Sequence, residues 1–221
     1  MSKYNTIIWD MDGTLLDTLD DLADSVNAAL AEYHLPLRTR DEIRSFIGNG
    51  VNQLLNLSVP GGKQHPQFDE ILSFFKSHYT KNSSNKTKPY DGLNKVLPEL
   101  KHLGYRMAIV SNKIDPAVKS LAEQFFEGTM DAAIGNSEYL RRKPFPDEVF
   151  EALRILGVEK DMAVYIGDTE VDIATARNAE MDCICVSWGY RDRSELEAAG
   201  AKIIADAPEE LTQILGELFK R

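Results

Sequence analysis

The chain has 221 residues with a formal net charge of −10, and 43% of its residues are hydrophobic. This length allows one large domain or a core domain with a smaller insert, and either can bury an apolar core without disulfides or metal. The acidic balance argues against nucleic acid or an anionic membrane as the main partner, because both require a basic surface.

The apolar runs, the N-terminal sequence and the two cysteines allow a prediction of the cellular compartment. No apolar stretch approaches the ~20 residues that span a bilayer, and the N-terminus lacks a signal-peptide pattern. Cys183 and Cys185 stand two apart in an apolar run, so they should share one face of a strand as reduced core residues. We therefore predict a cytoplasmic protein with no membrane partner.

Short apolar runs along the chain predict buried strands with helices between most of them. Pro98 should kink its helix or delay its start, and Asp115-Pro116 predicts an N-cap followed by a first-turn proline. The alternation predicts an α/β fold with a Rossmann-like parallel sheet and helices on both faces. The predicted strands are 6–9, 106–110, 132–134, 163–166, 183–186 and, from a weaker pattern, 202–205.

The segment 17–88 breaks this alternation and shows no convincing strand pattern. Thr39 with Glu42 predicts a capping box, Gly48-Asn49-Gly50 interrupts the helical pattern, and the polar run 81–88 is typical of a linker. We therefore predict two domains, namely an inserted all-helical cap domain at 17–88 and an α/β core domain at 1–16 and 89–221.

Polar residues follow the predicted strands where they end, which is where open parallel sheets bind ligands. Taken singly, Asp-Gly is commonly a turn, Ser-Asn is commonly a helix cap, and a lysine is commonly a solvated surface residue. Taken together, they bring three carboxylates, a hydroxyl and a lysine to one sheet edge. The segments are Asp10-Met11-Asp12-Gly13-Thr14, Ser111-Asn112-Lys113, Lys143 and Asp168-Thr169-Glu170-Val171-Asp172.

In this order the segments resemble the four signature motifs of the haloacid dehalogenase superfamily, and the helical insert stands where that family carries its cap domain. The sequence further resembles the phosphoglycolate phosphatases of that superfamily in three segments, 9–18, 111–113 and 188–191. The resemblance implies a magnesium-dependent phosphatase that acts on a small phosphorylated metabolite. Its expected substrate is 2-phosphoglycolate, which would be hydrolysed through an aspartyl phosphate.

The resemblance assigns Asp10 as the nucleophile, and carboxylate attack on phosphorus would divide one difficult displacement into two easier ones. Asp12 can protonate the leaving alkoxide and later accept a proton from water, and the resemblance adds that its backbone carbonyl binds the metal. Mg²⁺ suits the concentration of negative charge, with Asp10 and Asp168 as carboxylate ligands. Asp172, one helical turn after Asp168, could support these ligands or orient Lys143.

The remaining candidates are predicted to contact the substrate. Ser111 and the amide of Asn112 can donate to phosphoryl oxygens at a helix N-terminus, Lys143 supplies positive charge, and Thr14 completes the phosphate cradle. Lys113 adds positive charge to the pocket. The amides of Gly48-Asn49-Gly50 could receive a second anionic group such as a carboxylate, or this turn could simply separate two helices.

Competing functions differ in the residues they need. A dehalogenase proper would need no metal and no carboxyl at Asp12, and a phosphonatase would need a cap lysine that 19–33 lacks. A non-catalytic phosphometabolite-binding regulator would not need Asp12 either. A sugar-phosphate mutase or an inorganic pyrophosphatase on the same scaffold stays open.

Overall fold

The computed structural model describes residues 4–218, which divide into two compact units. The core unit combines 4–16 with 89–218, and the helical unit is Asp17–Lys88. The strands are β1 (Thr6–Trp9), β2 (Leu16–Asp17), β3 (Lys88–Pro89), β4 (Arg106–Ile114), β5 (Ala132–Asn136), β6 (Ala163–Gly167), β7 (Asp182–Val186) and β8 (Ile204–Ala205). The α-helices are α1 (Leu19–Glu32), α2 (Arg40–Phe46), α3 (Val51–Ser58), α4 (Phe68–Asn82), α5 (Leu93–His102), α6 (Asp115–Phe126), α7 (Asp147–Leu156), α8 (Glu170–Asn178), α9 (Arg193–Ala198) and α10 (Glu210–Leu218).

The core unit is built on a parallel sheet, as the sequence predicted. Its strand order is β5-β4-β1-β6-β7-β8, and the pairing within it is parallel throughout the described residues. Ile8 in β1 lies opposite Ala108 in β4 and Tyr165 in β6. Because β1 lies between β4 and β6 and all three strands run parallel, the residues that follow them lie at the same edge of the sheet.

Alternate strand residues pack under helices on the two faces of the sheet. Ile7 and Trp9 belong to one buried cluster with apolar residues of α5, α6 and α10, whereas Ile8 belongs to another with residues of α7 and α8. Each fully buried aliphatic or aromatic side chain contributes about 1.5–3 kcal/mol through removal from water. The near-continuous apolar strands are therefore explained by burial on both faces.

Two local predictions for the core helices need correction. α5 starts at Leu93 with Pro98 inside it, which excludes the late start, whereas the alternative of a kink stays a prediction. α6 is capped by Ile114 rather than by Asp115, and the cap makes no side-chain hydrogen bond. The reason is tertiary: the Asp115 carboxylate accepts from the backbone N–H of Gly135 at 3.0 Å and pairs with Lys119 at 2.7 Å.

The helical unit is organised around α1 and α4, whose buried faces carry residues such as Val26 and Phe75. The predicted capping box of Thr39 and Glu42 is present at the start of α2. The predicted linker is shorter than 81–88, because α4 continues to Asn82 and Lys88 begins β3. Within residues 4–218, no helix combines the length and apolarity needed to cross a membrane.

Glu148 in the first turn of α7 is fully buried, and within the described residues neither of its carboxyl oxygens has a hydrogen-bond partner. Burial raises its pKa from 4.5 to about 7, with Lys143 opposing and Asp147 adding to the shift. A raised folded-state pKa means that the folded protein holds an extra proton between these values. Its stability therefore falls as pH rises through this window.

We expect Glu148→Gln to leave the melting temperature nearly unchanged at pH 5 and to raise it at pH 8. The shift from 4.5 to about 7 corresponds to a gain on the order of 3 kcal/mol above pH 7. Thermal unfolding at both pH values measures this, with the more exposed Glu151→Gln on the same helix as the control. Equal effects of Glu148→Gln at both pH values would contradict the assignment.

Candidate active site

Asp10 lies directly after β1 and is held by the strand next to it. Its backbone N–H donates to the carbonyl of Ile166 at 2.8 Å, and its Oδ1 accepts from the N–H of Met11 at 2.7 Å. The side chain is buried, with an exposed fraction of 6%. These hydrogen bonds therefore position the predicted nucleophile at the edge of the sheet.

Three buried carboxylates meet at this edge. One oxygen from each of Asp10, Asp168 and Asp172 lies within 4.8 Å of the other two. Asp168 follows β6 and Asp172 lies in the first turn of α8, so neighbouring strands and one helix start supply the set. Such a group of like charges, removed from water, requires positive charge to be stable.

Lys143 supplies part of that charge. Its Nζ lies 2.8 Å from Asp10 Oδ1, 2.8 Å from Asp172 Oδ1 and 3.2 Å from the hydroxyl of Tyr165. The side chain is buried. Since an ammonium has three hydrogens, these partners occupy all of them. Lys143 can donate to a phosphoryl oxygen only after giving up one of these contacts, and Asp10 is the partner that also contacts the substrate in the predicted mechanism.

The ionisation of the cluster is uneven. Burial is the largest cause, and repulsion from Asp172 the second, of a raised pKa at both Asp10 and Asp168. The pKa of Asp10 lies well above its ordinary value, and the pKa of Asp168 is raised to about 7. Burial also acts to raise the pKa of Asp172, but Lys143 and hydrogen bonds from Thr169 and Tyr165 outweigh it and lower the pKa. Lys143 therefore favours the ionised form of Asp172, and a further cation beside Asp10 and Asp168 would lower their raised pKa values.

Asp168 is oriented by its neighbours. Its Oδ1 accepts from the Thr14 hydroxyl at 2.8 Å, and its Oδ2 accepts from the backbone N–H of Tyr190 at 2.8 Å. A Cβ on Gly13, which has φ of +89°, would come within 2.2 Å of Asp168 Oδ2, and one on Gly189 within 2.4 Å. Because the Thr14 hydroxyl donates to Asp168, this hydroxyl would have to leave that carboxylate before it could make the predicted contact with phosphate.

The second motif departs from its predicted geometry. β4 continues through Ser111 and Asn112 to Ile114, so these residues do not lie at a helix N-terminus. The cause is pairing with β5, which resumes at Ile114 and Asn136 after a register shift. Ser111 Oγ accepts from the N–H of Lys113 at 3.3 Å, and Asn112 Nδ2 donates to the Lys143 carbonyl at 3.3 Å.

Asp12 and Lys113 form a close ion pair beside this cluster. Lys113 Nζ is 3.0 Å from Asp12 Oδ1, and the two side chains are only 4% and 16% exposed. The sequence predicted both residues at this edge but not their contact. Gly48-Asn49-Gly50 lies in the helical unit between α2 and α3, where Gly50 precedes α3 with φ of 75°. A substrate contact of that turn stays a prediction.

Comparison with known proteins identifies the family. A profile described as haloacid dehalogenase-like hydrolase matches residues 7–186. The chain belongs to this family. Phosphoglycolate phosphatases of Mesorhizobium japonicum and Aquifex aeolicus are 32% and 34% identical to it. The match to the Mesorhizobium japonicum protein covers 90% of this chain and 89% of that protein. The match to the Aquifex aeolicus protein covers 83% of this chain and 85% of that protein.

A solved structure shows the same relationship. A candidate phosphoglycolate phosphatase from Lactobacillus delbrueckii subsp. bulgaricus superposes with a TM-score of 0.92 at 36% identity. The match covers 96% of this chain and 98% of the other. The chain is therefore an enzyme of the haloacid dehalogenase-like hydrolase family, and the cluster around Asp10 is its candidate active site.

Three contacts of this hydrolase were missed from the sequence. Tyr165 lies within the apolar run 163–166, and its hydroxyl donates to Asp172 Oδ1 at 2.9 Å. Thr169 also donates to Asp172, at 2.7 Å, and the amide of Tyr190 holds Asp168. Tyr165 could have been found, because a buried tyrosine hydroxyl generally has a hydrogen-bond partner. The Tyr190 contact depends on tertiary packing and left no local signal.

Proposed function

We propose that this hydrolase cleaves a small phosphate monoester, preferentially 2-phosphoglycolate, through an aspartyl phosphate on Asp10. The observation that supports it most is the buried Asp10–Lys143–Asp172 arrangement, in a chain whose near-full-length relatives are named phosphoglycolate phosphatases. In the first step the Asp10 carboxylate bonds to phosphorus and the bond to the substrate's ester oxygen breaks. Water then attacks the phosphorus and restores Asp10.

Asp12 is proposed as the acid and base of these steps. It gives a proton to the leaving ester oxygen, then takes one from the attacking water, and so ends in its starting state. Lys143 gives up its contact with Asp10 and donates to the phosphoryl oxygens, while its contacts with Asp172 and Tyr165 keep it in place. Ser111, the amide of Asn112 and Thr14 are proposed as further donors to the phosphoryl group.

The donor set fits a magnesium ion. Three close carboxylates with one lysine leave net negative charge in a buried place, and oxygen ligands of this kind suit a hard divalent cation. Asp10, Asp168 and the backbone carbonyl of Asp12 are the proposed ligands, with Asp172 adjacent. Bound there, the cation would neutralise charge on the phosphoryl oxygens.

Asp168→Ala tests this assignment, since it removes one of two proposed carboxylate ligands. We expect a higher magnesium concentration for half-maximal rate and loss of most activity at low magnesium. Rate is titrated against magnesium for both proteins, with the exposed Asp161→Ala as the control. A half-saturation point equal to that of the unaltered enzyme would place Asp168 outside the metal site.

The substrate assignment predicts a ranking. Under one magnesium concentration, kcat/KM for phosphoglycolate should exceed that for pyrophosphate, glucose 1-phosphate and glucose 6-phosphate by about tenfold or more. Release of inorganic phosphate is measured in each case, which also separates a hydrolase from a mutase or a binding protein. A tenfold lead for pyrophosphate or a hexose phosphate would remove phosphoglycolate and leave the aspartyl phosphate mechanism standing.

A further inference from the structure

Three sulfur-bearing side chains, Met181, Cys183 and Cys185, lie along one side of the chain at β7. Alternate residues of an extended chain point to the same face, and these three line one cavity of about 820 Å³ in the core unit. Both cysteines are reduced, as the sequence predicted, and their Sγ atoms are 3.9 Å apart. The cavity beside this pair of thiols was not predicted.

The cavity is separate from the candidate active site. It is lined by Ala163 and Asp182, the first residues of β6 and β7, so it lies toward the amino ends of these strands. The carboxylate cluster instead follows the carboxyl end of β6, and its members do not line the cavity. Cys183 is only partly buried and the exposed Lys202 also lines the cavity, so the thiols can be approached from solvent.

The two thiols are poorly placed for a disulfide. Same-face neighbours in a strand are separated by about 6.6 Å along the backbone, whereas a disulfide draws its Cβ atoms to about 3.8 Å. β7 cannot easily shorten this separation, because Cys185 is paired with Gly167 of β6 and Ile204 of β8. The hydrogen bond with Cys185, followed by burial, also raises the pKa of the Cys183 thiol well above its ordinary value. This disfavours the thiolate through which oxidation proceeds.

The spacing of the thiols does suit two ligands of one metal ion. With metal–sulfur bonds of about 2.3 Å, two sulfurs at trigonal to tetrahedral angles are about 3.8–4.0 Å apart. The observed Sγ to Sγ distance of 3.9 Å falls in this range. Two thiols with a thioether beside them form a soft donor set. The thioether favours Cu(I) over Zn²⁺, whose usual protein ligands are thiolate, imidazole and carboxylate.

We propose that Cys183, Cys185 and Met181 form a binding site for a soft monovalent cation, Cu(I). Two sulfur–copper bonds replace the two sulfur–hydrogen bonds, and the two protons pass to water. Met181 donates a lone pair from its neutral sulfur. The oxidation state of copper does not change, so binding needs neither an oxidant nor a reductant. The site is independent of the proposed phosphate hydrolysis and of its magnesium ion.

The test is a titration of the reduced protein with Cu(I) in the presence of a chromophoric Cu(I) chelator and excess glutathione. The unaltered protein should withdraw one Cu(I) per chain from these competitors. Cys183→Ala should lower the affinity by more than the ~100-fold that loss of a group behind a metal ligand can cost, because a ligand itself is removed. Cys183→Ser is read in the same way should the alanine variant be unstable.

Met181→Leu tests the thioether, since leucine keeps the volume and removes the sulfur. It should weaken binding by about tenfold or more. The matched control is Met130→Leu, a partly buried methionine that packs against the other buried cluster of the core unit and should bind as the unaltered protein does. Unchanged affinity in Met181→Leu would overturn the three-sulfur site. Complete loss of Cu(I) to glutathione, or equal affinity in Cys183→Ala and the unaltered protein, would overturn the proposal as a whole.

Discussion

Asp10→Asn should lower turnover by at least ~10³-fold on any phosphate ester, because an amide cannot form the acyl phosphate. The substitution preserves the shape of the side chain, so the contacts of Asp10 with Met11 and Lys143 change in charge more than in position. The measurement is phosphate release from an aryl phosphate and from phosphoglycolate at saturating magnesium.

The control for this variant is Asp161→Asn, an exposed carboxylate of the same chain that lies outside the cluster. Both variants should unfold at temperatures close to that of the unaltered enzyme. The pKa of Asp10 is raised, so its ionised form destabilises the folded protein. A neutral asparagine in its place should therefore not unfold the protein. If Asp10→Asn keeps a tenth of the original rate while folded, the proposed mechanism is wrong.

Asp12→Asn should slow the enzyme by roughly 10²–10⁴-fold, the usual contribution of a general acid and base. The loss should be largest for alkyl phosphates, whose leaving oxygens need a proton. It should be smaller for nitrophenyl phosphate, whose leaving group departs as a stable anion. The measurement is kcat/KM for a series of esters ordered by the acidity of their leaving alcohols or phenols.

This series separates the proposed role of Asp12 from its contact with Lys113. Loss of the ion pair alone would change by a similar factor all esters that carry no second anionic group, since Lys113 is present for each of them. A steeper dependence on the leaving group in the variant shows that a proton donor has been removed. An equal loss for alkyl and nitrophenyl esters would exclude Asp12 from the leaving-group step.

The parallel sheet and the strand-end placement of the candidate residues could be predicted from the sequence. Apolar runs such as 6–9 are buried on both faces, and this pattern is visible without tertiary information. The capping box of Thr39 and Glu42 is equally local, because both hydrogen bonds form within four residues. Such features follow from short-range spacing alone.

The features that could not be predicted depend on partners distant in the chain. The extension of β4 to Ile114 comes from pairing with β5, and the carboxylate of Asp115 is drawn to Gly135 instead of capping α6. The contact of Lys113 with Asp12 joins residues about a hundred positions apart. The order of the motifs along the chain placed these residues at one edge but did not determine which would pair.

Trapping the covalent intermediate tests the central claim most directly. The enzyme is mixed with substrate labelled in its phosphoryl group and quenched in acid within one turnover, and its peptides are then mapped by mass spectrometry. We predict one phosphoryl group on the peptide that contains Asp10, and none in Asp10→Asn treated identically. Full turnover without any labelled peptide, or a label carried by a different residue, would contradict the aspartyl phosphate on Asp10.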